Sequence, residues 1–214
     1  VGGVLCSRTG RPLPQRLRHL LVIRLDQLGD VVLAEPFLRK IKTERPDLKI
    51  TFLTTSLGES VFRRVSSVDR CVVFNPSWFG HRPGRWLVDG FRLWRLLKKM
   101  DCDAIVDLRG DIRHLLAARL AKPRCWILSY GLSGGGFLVD VEAPIREGKH
   151  AVMANLDLLP HLGMNSELPL PYLSSEIASE EISAEVKHRL PSKEKPWIAL
   201  HVGTPVPAKR WKEE

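Results

Sequence analysis

The 214-residue chain lacks any run of about 18 consecutive apolar residues, the length a bilayer-spanning helix requires. Its first stretch, VGGVLCSRTGRPLPQRLRH, carries basic residues but no uninterrupted apolar segment. It therefore does not read as a secretory signal, and residues 1–18 are expected to form a disordered leader. Cysteine is scarce. Cys6, Cys71, Cys102 and Cys125 form no CxxC, and no histidine stands at zinc-finger spacing from any of them. That argues against a disulfide scaffold and against structural metal, and it fits a reducing, cytoplasmic compartment. Two phosphate-binding signatures are missing as well. The turn after the first apolar run is LDQLGD rather than GxGxxG, and GxxxxGK[ST] does not occur. Acidic residues are outnumbered, 24 against 33 Lys and Arg, for a net charge of +9.

The positive charge is not spread evenly. Residues 1–150 hold 26 basic and 15 acidic side chains, whereas residues 151–214 hold 7 and 9. A field of that sign in the first segment suits an anionic partner: nucleic acid, a phosphorylated small molecule or an anionic membrane surface. Short apolar runs at 19–25 (HLLVIRL), 49–54, 70–74, 103–108 and 124–129 read as strands, rich in Val and Ile. Between them lie amphipathic stretches at 30–44, 58–65, 85–100 and 111–121, each predicted to be a helix. The first would turn Val31, Leu33, Leu38 and Ile41 to a core and Arg39, Lys40 and Lys42 to water. Strand alternating with helix in this way predicts a doubly wound α/β domain with a parallel sheet over residues 19–165.

Beyond Pro144 the rhythm changes. Residues 148–163 read as a helix ending on Gly163, with Pro160 interrupting its last turn. A proline- and serine-rich stretch, LPLPYLSSE, and an amphipathic helix at 177–190 form an expected linker over 166–195. PWIALHV (196–202) reads as a new strand followed by the loop GTPVPAKRW. Residues 196–214 are thus expected to open a second α/β domain of which this chain carries only the start, and the chain by itself is expected to be inactive.

In open parallel sheets, ligands bind beyond the carboxyl ends of the strands. The residues there are Asp26, Gln27 and Asp30 after the first strand, Asp107, Arg109, Asp111 and Arg113 around the end of the fourth, and Tyr130 after the fifth. Asp30 also stands where a helix begins, and Asp is a preferred N-cap, so the pattern alone leaves open a cap or a chemical role. Asp101-Cys102-Asp103 matches a DxD metal pattern but precedes its strand, at the wrong edge. His150 reads as a helix-start capping residue. Segment 78–100 combines Trp78, Phe79, Trp86, Phe91 and Trp94 with Arg82, Arg85, Arg92, Arg95, Lys98 and Lys99. Leu87, Phe91, Trp94 and Leu97 share a helical face, which could pack on the sheet or meet a membrane surface. A nucleic-acid-binding α/β module without catalysis is the competing class, although no RRM, KH or helix-turn-helix signature is present.

The string LLVIRLDQLGDVVLAEPFLRKIKTERPDLKITFLT closely resembles the start of glycosyltransferase family 9, the ADP-heptose:lipopolysaccharide heptosyltransferases. Three further segments fit the same family in order: DLRGDIR at 107–113, Lys149-His150-Ala-Val leading to Leu162-Gly163, and His201-Val-Gly-Thr with Ala208-Lys209-Arg210-Trp211. The resemblance implies a GT-B architecture, with a Rossmann-like N-terminal acceptor domain facing a C-terminal nucleotide-sugar domain. It implies inverting transfer from an ADP-activated sugar to an anionic glycolipid, with no metal or other cofactor. By position it assigns Asp30 as catalytic base and Gly203, Thr204 and Lys209 as donor-binding. Gln27, Asp107, Arg109 and Arg113 are then the acceptor-binding candidates. Trp86, Arg92, Trp94, Arg95 and Lys99 become candidates for a peripheral contact with the inner membrane. Val202, Pro205 and Pro207 depart from the family by stiffening the donor loop.

Overall fold

The computed structural model describes residues 10–63, 65–77, 85–145 and 148–166. All of these lie in the first of the two units, 1–174 and 175–214, into which the chain divides. Gly203, Thr204, Lys209, the expected helix at 177–190, the expected second domain from 196, and Trp78 and Phe79 lie outside the described residues.

Among the described residues, strands β1 (His19–Arg24), β2 (Lys49–Thr54), β3 (Arg70–Val73), β4 (Ala104–Asp107), β5 (Trp126–Tyr130) and β6 (Val141–Ala143) form one sheet. Its order is β3-β2-β1-β4-β5-β6, and all neighbours run parallel. The helices are α1 (Leu28–Val32), α2 (Glu35–Glu44), α3 (Ser56–Phe62), α4 (Arg85–Lys98), α5 (Ile112–Ala121) and α6 (Ala151–Leu156). Alternation along β1 divides the core. Leu20 and Val22 meet α2, α3 and α6 on one face, while Leu21 and Ile23 meet α4 and α5 on the other. Burial on both faces is why the central strands β1, β2, β4 and β5 are predominantly apolar. The fold is a Rossmann-like α/β sheet, and its strand order reverses between β1 and β4, where the first and fourth βα loops diverge.

Several expectations are corrected. The single helix expected over 30–44 is two, α1 and α2, separated by Leu33 and Ala34. Pro36 is the reason: it has no N–H to donate to the Val32 carbonyl, and its ring crowds that oxygen. The same rule ends α6 at Leu156, four residues before Pro160, and a 3₁₀ turn at Leu159–Leu162 then closes on Gly163 at φ 72°. Strand β6 was not foreseen, because three residues are too few to show a period. Residues 10–18 are not a loose leader. Arg11 pairs with the buried Asp140 at 2.6 Å, the Trp126 indole donates to the Arg11 carbonyl at 3.0 Å, and Leu17 is buried.

The face that α4 turns to the sheet also differs from expectation. Asp89, Leu93 and Leu97 point inward, and Trp94 is half-buried, but Leu87 and Phe91 are 60% and 56% exposed. The buried Asp89 carboxylate accepts from the Ser77 amide at 2.6 Å and from Arg92 at 3.0 Å, which fixes this rotation.

Candidate functional site

A cavity of about 370 Å³ opens beyond the carboxyl ends of β1, β4, β5 and β6, at the point where the strand order reverses. Arg24, Asp26 and Asp30 line it from β1 and α1, Leu108 and Arg109 from β4, Tyr130 from β5, and Lys149, Asn155 and Asp157 from the α6 region. Its volume lies in the range of small-molecule sites.

Three carboxylates and three cations meet there, and the structure gives the carboxylates different work. The Asp26 side chain is only 7% exposed; one oxygen is 2.9 Å from Arg24 Nε and the other is taken by Arg109. Asp157 is bound by Lys149. Asp30, in the first turn of α1, touches Arg24 through one oxygen at 3.3 Å, and its side chain is 44% exposed. Arg24 therefore anchors both acids, and it also donates to the Leu108 carbonyl of the neighbouring loop. Of the three carboxylates, the Asp30 side chain is the most exposed, at 44% against 35% for Asp157 and 7% for Asp26. Gln27 occupies the N-cap position of α1 without a side-chain hydrogen bond, and Asp30 stands within the first turn, so the cap role left open for Asp30 does not fall to it.

The other named residues separate. Arg109 lines the cavity, and burial lowers its affinity for a proton while the neighbouring Asp111 opposes that. Gln27 is exposed at the start of α1 and does not line the cavity. Asp107 faces inward. It accepts from the Gly110 amide at 2.7 Å and the Ser129 hydroxyl at 3.2 Å, and it lies 3.0 Å from His114 Nδ1. Those bonds hold the 108–111 loop, with Gly110 at φ 74° as its pivot. Asp111 caps α5 by accepting from the Arg113 amide at 2.9 Å, and the Arg113 guanidinium forks onto the same carboxylate at 2.8 and 2.5 Å. Burial pushes the Asp111 carboxyl up, but Arg113 more than reverses this and holds it at about 2. Arg113 itself lines a different groove, between α4 and α5. His150 caps α6, its Nδ1 accepting from the Val152 amide at 3.3 Å. Asp103, of the DxD string, sits at the opposite edge and caps β1 by accepting from the Arg18 and His19 amides at 2.8 and 2.9 Å.

Residues 90–214, more than half of the chain, match the sequence pattern of glycosyltransferase family 9 (heptosyltransferase). The chain belongs to glycosyltransferase family 9. No curated protein matches it by sequence. Among solved structures it is similar to a family 9 glycosyl transferase from Veillonella parvula, with a TM-score of 0.72 and 22% identity over 94% of this chain and 58% of that one. It is also similar to the E. coli ADP-heptose LPS heptosyltransferase II, at 0.65 and 17% over 91% and 57%. E. coli heptosyltransferase WaaC, solved with ADP-2-deoxy-2-fluoro heptose, gives 0.59 and 15% over 73% and 52%. At these identities the likeness is one of fold, and the chain spans about half the length of these solved relatives.

The family match begins after α1, so Asp30 and Asp26 fall outside the matched residues and stand on their geometry. Sequence reasoning placed Asp30, Arg109 and Tyr130 at this edge but gave no role to Arg24, Asp26, Lys149 or Asp157. A signal for Arg24 was present: an arginine inside an otherwise apolar strand is buried only when carboxylates receive it.

Proposed function

We propose that this chain carries the acceptor side of an inverting glycosyltransferase that moves heptose, or a related sugar, from an ADP-activated donor to a lipopolysaccharide-type acceptor. In the step proposed, the acceptor hydroxyl oxygen attacks the anomeric carbon as the bond from that carbon to the diphosphate breaks. ADP leaves with the electron pair, and the hydroxyl proton passes to Asp30. A carboxylate acting in this way contributes roughly 10²–10⁴ in rate. Thr204 and Lys209, with Gly203, hold the donor diphosphate and offset its growing charge. Arg109, which lines the cavity, receives an anionic group of the acceptor. The basic side of α4, with Arg92 and Arg95 and the following Lys99, together with Trp86 and Trp94, rests against the anionic surface from which the acceptor is drawn.

The observation that carries this reading is the division between two carboxylates on one turn. Asp26 is consumed by two arginines, while Asp30 is anchored through a single oxygen and open to the cavity. Fold and family membership support it, as do solved relatives described with ADP and an ADP-sugar. The test is Asp30→Asn in a chain carrying a complete donor-binding domain, followed by ADP release in the presence of acceptor. The thermal midpoint should hold and turnover should fall by roughly 10²-fold or more; near-normal turnover refutes the assignment.

A further inference from the structure

A second concavity of about 370 Å³, separate from the cavity above, runs between α4 and α5. Trp86, Leu87, Phe91 and Trp94 form one wall, Leu116 and Leu120 the other, and Gly90 leaves the α4 side open. These are large apolar groups left in water: Leu87, Phe91 and Leu120 are each more than half exposed. Exposed apolar surface of this kind, rimmed by polar groups, marks an interaction site.

The rim is of one sign. Arg95 lies 6.0 Å over the Phe91 ring and Lys98 lies 5.0 Å over Trp94, which stacks on Phe91 at 5.3 Å. Arg113, its guanidinium held by Asp111, also lines the groove, and among the described residues no carboxylate does. Across α4, Arg92, Arg95 and Lys99 border a second shallow hollow with Phe74. The helix thus presents a hydrocarbon-lined slot beneath a ridge of cations. A slot open along one side suits a flexible chain, and the cations suit the negative headgroup that chain hangs from. Tryptophans at the mouth suit the boundary between the two.

We infer that the α4–α5 groove takes one acyl chain of an anionic membrane lipid out of the bilayer. This rests on the reading of α4 as a membrane-facing helix and adds a built site to it. Phe91 and Trp94 contact the chain, while Arg95 and Lys98 stay at headgroup level.

Gly90 supplies the test, because it lines the groove and a Cβ placed there meets nothing within 4 Å, so a larger side chain has room to enter it. The protein is mixed with phosphatidylglycerol–phosphatidylcholine vesicles whose acyl chains carry bromine at mid-chain, and both flotation and tryptophan fluorescence are read. The wild-type protein should float and be quenched, and Trp86→Phe with Trp94→Phe should remove most of that quenching. Gly90→Leu should still float but lose at least half of the quenching. Flotation with no quenching, or full quenching in Gly90→Leu, overturns the chain site and leaves the surface contact standing. No flotation at all overturns both. A dimer in lipid-free solution that Gly90→Leu dissociates would assign the groove to a second copy and also overturns the proposal.

Discussion

Replacing Arg24 by methionine removes a guanidinium from the strand end while keeping much of its length and apolar stem. The structure allows the cost to be bounded. Arg24 is 11% exposed at its side chain, lies 2.9 Å from Asp26 and 3.3 Å from Asp30, and donates to the Leu108 carbonyl. Removing one member of a buried ion pair costs about 3–5 kcal/mol when the partner is left alone. Asp26 keeps Arg109, and Asp30 is half in water, so the loss should fall to about 2–3 kcal/mol. For a domain of this size that corresponds to a fall of roughly 5–10 °C in the thermal midpoint. Arg24→Lys should recover only part of it, since a single ammonium nitrogen replaces the three guanidinium nitrogens that reach Asp26, Asp30 and the Leu108 carbonyl separately. Urea unfolding of Arg24→Met, Asp26→Asn and the double variant isolates the pair. If the contact is energetic, the double variant should be more stable than the summed losses predict by about 1–3 kcal/mol. Additivity within about 0.5 kcal/mol, or an unchanged midpoint in Arg24→Met, would refute the view that Arg24 organises this site.

Three further outcomes follow from neighbouring geometry. Asp111 titrates at about 2 rather than its ordinary 3.8, so its contribution to stability is complete above pH 4 and is lost as pH falls through about 2. Asp111→Asn keeps the α5 cap, loses the Arg113 fork, and should flatten that acid limb by on the order of 1–2 kcal/mol in pH-dependent urea melts. Gly110→Ala should cost about 2 kcal/mol, because the residue sits at φ 74° and a Cβ would stand 2.6 Å from the Tyr130 carbonyl oxygen; a smaller loss in thermal unfolding would mean the loop shifts freely. Gly90→Ala fills open space inside α4 and should raise stability by about 1 kcal/mol on helix propensity alone, read by the same melts.

Much of this is legible in the sequence. A strand covered on both faces is mostly apolar, so HLLVIRL and its four companions point to a parallel sheet, in which the loops at the carboxyl ends are where ligands bind. The same pattern places Asp30 at that edge, while a role as base is what the family resemblance implies. Proline chemistry was equally readable, although its weight at Pro36 was missed: an amphipathic period runs straight across a break that the missing N–H enforces. The period likewise misled for α4. Leu87 and Phe91 do share a face with Trp94 and Leu97, but burial is decided by what stands opposite. Asp89, held by Ser77 and Arg92, rotates the helix so that the 89–93–97 row faces the sheet.

The sequence by itself determined the strand–helix alternation, the parallel α/β class, and the edge of the sheet where chemistry can sit. Those features depend on local burial patterns that repeat along the chain. Only the tertiary structure decided that Asp26 is engaged while Asp30 is presented, that Asp107 serves its own loop, and that Arg113 faces a groove instead of the cavity. Each of those depends on which distant cation or carbonyl arrives at a carboxylate, and a parallel sheet brings such partners together from strands far apart in the chain.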